Sequence, residues 1–77
     1  MTTLDKVKPG HGGMIIKVGG EGALRRRLLD MGLTPKTSIF VNKVAPMGDP
    51  MELSLRGYVL TIRLDDASKI EVESREA

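Results

Sequence analysis

A short helix with a marked end interrupts an otherwise strand-like chain, and this feature constrains the fold most. The segment LRRRLLDMGLTP covers residues 24–35. Within it, Leu24, Leu28 and Met31 recur at the spacing of one α-helical face, where each residue turns by about 100°. An apolar face of this kind needs a core to pack against. The segment therefore predicts a helix docked on the rest of the domain.

Local signals mark the end of this helix more clearly than its start. Gly32 suits the left-handed residue that closes a helix, and Leu33 can contact Leu28 as the apolar pair of that closure. Pro35 then prevents continuation. At the start, three glycines offer no side-chain oxygen to the first amides, although Glu21 suits the positive end of the helix dipole. We therefore expect packing to hold the start of the helix.

The basic residues of the helix leave two interpretations open. Arg25 falls between two leucines on the helical wheel, so Arg25 and Leu29 form a mixed basic and apolar edge. On a solvated face, Glu21 would pair with Arg25 four residues later, the order that favours a helical ion pair. Arg26 would pair with Asp30 in the poorer order. Alternatively the edge docks on a partner protein, and Arg25, Arg26 and Leu29 are then the candidate binding residues.

The remaining sequence predicts short strands separated by turns. Apolar and β-branched residues alternate with polar ones, which is typical of strands with one buried face. The predicted strands cover residues 14–18, 37–44, 51–56, 58–63 and 69–73, with a short helical turn at 64–68. The apolar positions change from odd to even numbers between the third and fourth strands, which requires a turn or bulge at Arg56 and Gly57. Five strands with one inserted helix predict a mostly β fold, a small and strongly bent barrel.

Length and composition indicate one small domain without covalent cross-links. The 77 residues include no cysteine, so neither a disulfide nor a thiolate metal site supports the fold. We expect a single domain over residues 1–77, with its core at about 4–73 and a polar tail at 74–77. The chain shows no signal peptide and no apolar run of about 20 residues. These features predict a soluble, cytoplasmic protein.

Few side chains in this chain suit catalysis or metal binding. His11 is the only histidine and lies in a glycine-rich loop, so no nucleophile with a neighbouring base is evident. The metal-ligating candidates by type are His11, Asp49, Asp65 and Asp66, but no spacing brings two of them together. The glycine-rich segments do not lead into the Lys and Ser or Thr of a phosphate-binding loop. The sequence therefore predicts no enzyme activity, no cofactor and no intrinsic metal site.

Three motifs follow one another along the chain: the helix segment at 24–35, APMGDP at 45–50 and LRGYVLTIR at 55–63. Together they resemble the ferrous iron transport protein A (FeoA-like) family, over about residues 4–73. The resemblance implies a five-stranded barrel of the SH3-like type with one inserted helix. It also implies a non-enzymatic, cytoplasmic accessory protein of ferrous iron uptake. The implied partner is a ferrous iron permease whose cytoplasmic G domain hydrolyses GTP, and the membrane is reached only through that partner.

One residue departs from the pattern of the family this chain resembles. The family commonly has glycine after the proline that follows the helix, where this sequence has Lys36. If the turn requires a positive φ at that position, lysine costs about 1 kcal/mol or the turn changes type. The departure concerns the local turn and leaves the fold prediction unchanged.

Two other functions remain open from the sequence alone. A pI near 9.2 and three consecutive arginines also suit a small nucleic-acid-binding barrel, although only Phe40 and Tyr58 are aromatic. The other alternative is a domain that itself binds transition metal ions. We favour the partner-binding protein, with no nucleic acid bound, and exposed strand edges predict weak self-association.

Overall fold

The computed structural model describes residues 2–75 and confirms the predicted mostly β fold. One α-helix is inserted between two strands, and a short helical turn precedes the last strand, as predicted. In chain order the elements are β1 (Thr2–Thr3), a 3₁₀ turn (Leu4–Lys6), β2 (Gly12–Val18), α1 (Gly22–Asp30), β3 (Ser38–Val44), β4 (Met51–Leu55), β5 (Tyr58–Ile62), α2 (Leu64–Ala67) and β6 (Ile70–Arg75).

The strands form one antiparallel sheet in the order β1, β6, β2, β3, β4, β5. The first strand is a sixth one that the sequence did not predict. Its residues Thr2 and Thr3 pair with Val72 and Glu71. Two residues are too few to show an alternating pattern, because that pattern needs about four residues to be recognised. The sheet therefore ends on one side in β1 and on the other in β5.

The last strand runs two residues beyond its predicted end. Ser74 pairs with Gly13, and Arg75 pairs with Gly12. The predicted end of this strand at residue 73 is therefore wrong, because the first two residues of the predicted polar tail pair within the sheet. Residues 76–77 lie outside the described part of the chain. A polar segment gives no strand signal, but backbone pairing with a neighbouring strand does not depend on apolar side chains.

One apolar core receives side chains from five strands and both helices. Two bulges, between Ile15 and Lys17 in β2 and between Val41 and Lys43 in β3, interrupt the ladders. Bulges bend a strand and increase its twist, which lets one sheet cover a core on its concave side. The buried apolar residues are Leu4, Val7, Ile15, Val18, Leu28, Leu33, Ile39, Val41, Met51, Leu53, Leu55, Ile62, Ala67, Ile70 and Val72.

The hairpin between β4 and β5 contains the turn that the change of parity requires. The alternating apolar residues of β4 are buried on one face, as predicted. Leu55 pairs with Tyr58, so only Arg56 and Gly57 form the loop. Their φ angles are 48° and 84°. Positive φ at both positions is the geometry of a type I′ turn, whose twist matches that of the two strands.

The predicted closure of α1 is confirmed. Gly32 has φ 97°, and its amide donates to the carbonyl oxygen of Leu29 at 3.0 Å. The amide of Leu33 donates to the carbonyl oxygen of Leu28 at 3.2 Å, and both leucines are fully buried. This pair of bonds defines the Schellman motif with its apolar contact. At the other end, Glu21 makes no side-chain cap bond, so packing holds the start of the helix.

The turn after the helix places a non-glycine residue in the left-handed region. Lys36 has φ 73°, and the amide of Thr37 donates to the carbonyl oxygen of Thr34 at 3.2 Å. With Pro35 before the residue of positive φ, this is the pattern of a type II turn. The amide of Lys36 also donates to the carbonyl oxygen of Ile15 at 2.7 Å, which ties the turn to β2. The positive φ that a glycine at this position would suit is therefore present at Lys36.

We predict that Lys36→Gly raises the free energy of unfolding by about 1 kcal/mol, because glycine adopts this φ without a Cβ clash. In a domain of this size, such a change corresponds to a rise in Tm of roughly 4–8 °C. Thermal and urea denaturation measure the two quantities. Lys36→Ala is the matched control, since it removes the long side chain but keeps the Cβ, and its stability should stay close to that of the parent. A glycine variant no more stable than the alanine variant would contradict a strained turn.

Candidate partner-docking surface

The exposed side of α1 carries the three residues predicted to bind a partner. Arg25 and Arg26 are exposed, whereas Leu29 is half-buried and packs against the core. Residues four apart are neighbours on a helix, so Leu29 lies beside Arg25. The structure therefore presents two cations next to an apolar side chain that is anchored in the domain.

Arg25 bonds to the backbone of the domain and not to the carboxylate of Glu21. Its Nε donates to the carbonyl oxygen of Val18, at the end of β2, at 3.2 Å. The solvated-face interpretation paired Arg25 with Glu21 and Arg26 with Asp30, and residues 2–75 form neither ion pair. A backbone carbonyl is a fixed acceptor and costs less side-chain entropy to reach than a second mobile side chain. The charge of Arg26 stays uncompensated within that range.

The third arginine of the run joins α1 to α2. Nη2 of Arg27 lies 2.9 Å from Oδ2 of Asp66, with the two side chains 61% and 21% exposed. An ion pair this open to water contributes about 1 kcal/mol or less to stability. Sequence reasoning missed it because the two residues stand 39 positions apart and no local spacing relates them.

A tyrosine fastens the β4–β5 hairpin to the end of the helix. The hydroxyl of Tyr58 donates to the carbonyl oxygen of Met31, one of the last carbonyls of α1. To reach it, the ring passes over Gly32, where a Cβ atom would overlap the tyrosine hydroxyl. Two features therefore favour glycine at position 32: its φ is positive, and the tyrosine occupies the space that a Cβ atom would need.

An arginine fastens the same hairpin to the turn that follows the helix. Nη2 of Arg56 donates to Oγ1 of Thr34 and to Oγ1 of Thr37, each at 2.9 Å. We call the contacts of Arg56 and Tyr58 with Met31, Thr34 and Thr37 the helix–hairpin clasp. The sequence shows that the motifs at 24–35 and 55–63 occur in one chain, but it gives no sign that their side chains are in contact.

The candidate metal ligands have other roles in the structure. Oδ1 of Asp49 accepts a hydrogen bond from the amide of Leu64 at 2.9 Å and so caps the start of α2. Asp66 pairs with Arg27, and Asp65 stands beside it in the first turn of α2, as interpreted from the sequence. Across residues 2–75, no three side chains of metal-ligating type, His11 included, come together in a group that could hold an ion.

Two open clefts meet at Thr61 on the edge strand β5. The first, of about 290 Å³, lies between α1 and β5 and is lined by Arg27, Met31, Thr61, Ile62, Arg63 and Asp66. The second, of about 270 Å³, lies between Thr61 and the loop that joins β3 to β4. Sequence reasoning assigned no role to Thr61 or Arg63, because a cleft depends on elements that only the tertiary fold brings together. Of the helices in the described part, none is long and apolar enough to cross a bilayer.

Comparison with known proteins decides the family. The family model described as the FeoA domain matches residues 2–74. The chain belongs to the FeoA family. The role of this family lies in ferrous iron transport, where its members are small accessory domains. The resemblance seen in the three motifs is thereby confirmed.

A curated relative joins an FeoA region to a transporter in one polypeptide. The chain is 37% identical over 70 residues to the Fe(2+) transport protein A/Fe(2+) transporter FeoB fusion protein of Porphyromonas gingivalis. The matched region covers 91% of this chain and 8% of the fusion protein. The FeoA chain described here thus spans less than a tenth of the length of that relative.

Solved structures of related proteins share the fold. The FeoA-like protein from Clostridium acetobutylicum superimposes with a TM-score of 0.87 at 39% identity, over 94% of this chain and 84% of that protein. The zinc-complexed FeoA of Stenotrophomonas maltophilia gives a TM-score of 0.84 over 99% of this chain and 98% of that one. At 17% identity the second likeness concerns the fold alone, and that protein is described as an SH3 domain protein. The predicted SH3-like fold class is confirmed.

We predict that Gly32→Ala lowers the free energy of unfolding by about 2–4 kcal/mol, because it adds both φ strain and overlap with the Tyr58 hydroxyl. Tyr58→Phe alone should cost about 1 kcal/mol, the value of its hydrogen bond. The double variant should lose less unfolding free energy than the two single variants lose in sum. Removing the hydroxyl removes the overlap, so only the φ strain at residue 32 remains. Urea denaturation of the four proteins measures this coupling. Strict additivity would contradict the clasp geometry.

Proposed function

We propose that this FeoA-family chain is a non-enzymatic, cytoplasmic accessory protein of ferrous iron uptake. It binds the cytoplasmic G-domain region of a GTP-hydrolysing ferrous iron permease through Arg25, Arg26 and Leu29 on α1. The observation that carries this proposal is the exposed basic and apolar edge of a helix that packs on the core and whose C-terminal end is joined to the β4–β5 hairpin by the helix–hairpin clasp.

The chemistry of this edge suits a protein partner with carboxylates at its surface. Arginine donates in a planar fork that matches a carboxylate, and Arg26 has no acidic partner within residues 2–75. Leu29 adds apolar area beside the cations without being free to move, because its other side packs on the core. A rigid apolar anchor rimmed by cations is typical of a docking surface for another protein.

The fusion protein of Porphyromonas gingivalis supports the choice of partner. There, an FeoA region and an FeoB transporter belong to one chain. A covalent link of this kind holds two modules at an effective concentration that reaches the millimolar range for short linkers. Such tethering benefits a pair of modules that bind each other weakly. We therefore expect the separate protein to bind its permease with modest affinity.

The aromatic side chains give little support to nucleic-acid binding. The ring of Phe40 lies over Gly12, where an added Cβ would come within 3.6 Å of its Cδ1 atom. The hydroxyl of Tyr58 is engaged with the end of α1. Single-strand binders offer aromatic faces on which bases stack, and this chain has only these two aromatic residues. The absence of nucleic-acid binding stays a prediction.

We predict that Arg26→Glu weakens binding to the soluble cytoplasmic region of the permease by about five-fold to ten-fold, because it replaces an attraction with a repulsion at the rim of the interface. Titration calorimetry at two salt concentrations measures the effect, and the difference between variants should shrink at higher salt. Lys8→Glu is the matched control, since it makes the same charge change at an exposed site outside α1.

Two results would contradict this assignment. Equal losses for Arg26→Glu and Lys8→Glu would mean that only net charge matters and that α1 is not the interface. No heat or co-elution with the permease region for the parent protein would overturn the proposed partner itself. Circular dichroism of each variant checks that α1 remains folded.

A further inference from the structure

The edge strand β5 lacks several of the features that usually protect an open edge. It pairs only with β4, so one side of its backbone has no strand partner. Its five residues, YVLTI, include no charge, no proline and no glycine, and its ladder contains no bulge. Proteins normally protect such an edge with at least one of these devices, because an open strand pairs readily with another chain. An open edge with strong β propensity therefore calls for a functional explanation.

The register identifies the backbone groups that face outwards. A two-residue hairpin makes Leu55 and Tyr58 a hydrogen-bonded pair, and such pairs alternate with non-bonded ones along an antiparallel ladder. Leu60 and Ile62 therefore use their N–H and C=O groups within the hairpin. The same groups of Val59 and Thr61 point away from β4, at the open edge.

The surroundings of this edge leave room for an added strand. The cleft of about 290 Å³ between α1 and β5 lies directly beside Thr61. Val59 is 57% exposed on the outer face of the sheet. It pairs with Ser54 of β4, which in turn pairs with Phe40 of β3, so the three side chains form a row across the sheet. A strand added to β5 would place one side chain next to Val59 and others over the cleft, since successive side chains point to opposite faces.

Positive charges stand at both ends of this strand. Arg56 precedes β5 and Arg63 follows it, and neither forms an ion pair within the described residues. Two copies of this chain paired antiparallel through β5 would bring Arg63 of each next to the hairpin loop of the other, which contains Arg56. Like charges placed across from each other disfavour that pairing. An extended segment with acidic residues at both ends would instead complement them.

We propose that β5 binds an extended peptide segment with an uncharged, β-prone centre and acidic ends, which adds to the sheet through the backbone groups of Val59 and Thr61. Binding by strand addition takes its affinity from main-chain hydrogen bonds and its selectivity from neighbouring side chains. Here the selectivity comes from Arg56 and Arg63. This proposal is independent of the α1 surface and of the identity of the permease.

The direct test is an NMR titration of the isotope-labelled protein with acetyl-Glu-Glu-Val-Thr-Val-Thr-Val-Glu-Glu-amide. Its matched control is the peptide in which every glutamate is replaced by lysine. We expect the acidic peptide to shift the amide signals of Val59 and Thr61 and to slow their exchange with solvent, with an affinity about ten-fold above that of the basic peptide. Equal binding of both peptides, or shifts confined to α1, would overturn the proposal. So would the same shifts on raising the protein concentration without peptide, since they would indicate self-pairing.

Two variants separate strand addition from non-specific attraction. Thr61→Pro removes an outward N–H that takes no part in the β4 ladder, so we expect a folded protein that no longer binds the peptide. Arg63→Glu keeps the backbone and should weaken binding of the acidic peptide by about five-fold while strengthening that of the basic one. Lys8→Glu should leave the preference intact. Peptide binding by Thr61→Pro as strong as the parent's, or an unchanged charge preference in Arg63→Glu, would overturn the proposal.

Discussion

The left-handed closure of α1 at Gly32 determines where the two proposed binding surfaces of this domain lie. A helix of nine residues is too short to be stable alone, and this one has no side-chain cap at its start. Its position therefore depends on the reversal that brings Leu33 back onto Leu28 in the core. Tyr58 and Arg56 then lock the reversed segment to the hairpin, across 27 and about 20 positions of sequence. This clasp adds to the core packing of α1 in orienting both the basic face of the helix and the cleft beside β5.

Much of the fold could be predicted because its signals are local. The end of the helix is signalled by Gly32 and Pro35. The hairpin turn is signalled at Arg56 and Gly57, where the apolar positions change from odd to even numbers. Each signal can be recognised within about ten residues of sequence. The strand of two residues, Thr2–Thr3, lies below the length at which a period can be seen. The pairing of Ser74 and Arg75 with β2 was missed for a related reason, since it rests on backbone groups and not on apolar side chains.

The candidate site was less predictable because arginine is long and chooses among distant acceptors. Helical spacing offered carboxylates to Arg25 and Arg26, yet Arg25 bonds a backbone carbonyl of β2 and Arg27 pairs with a residue of α2. The tertiary fold brings each of these acceptors to its arginine. The i,i+4 spacing rule considers only partners on the same helix, so it cannot show that a distant acceptor will be preferred. The sequence did indicate correctly that Arg25, Arg26 and Leu29 share one exposed helix. It contained no local sign that Arg63 and Thr61 would border a cleft.

The two proposed surfaces recognise different features of a partner. Charges on α1 act over a Debye length, about 8–10 Å at physiological salt, so they raise the encounter rate and orient the partner before contact. The edge of β5 acts only at contact, and it requires a partner segment that is already extended or can become so. Arg27 of α1 and Met31, the residue that follows α1, line the cleft beside β5, so a segment added there would lie against the same helix. Backbone pairing tolerates many sequences, so discrimination between extended segments must come from the charges around the strand. For β5 those charges are Arg56 and Arg63, which flank it.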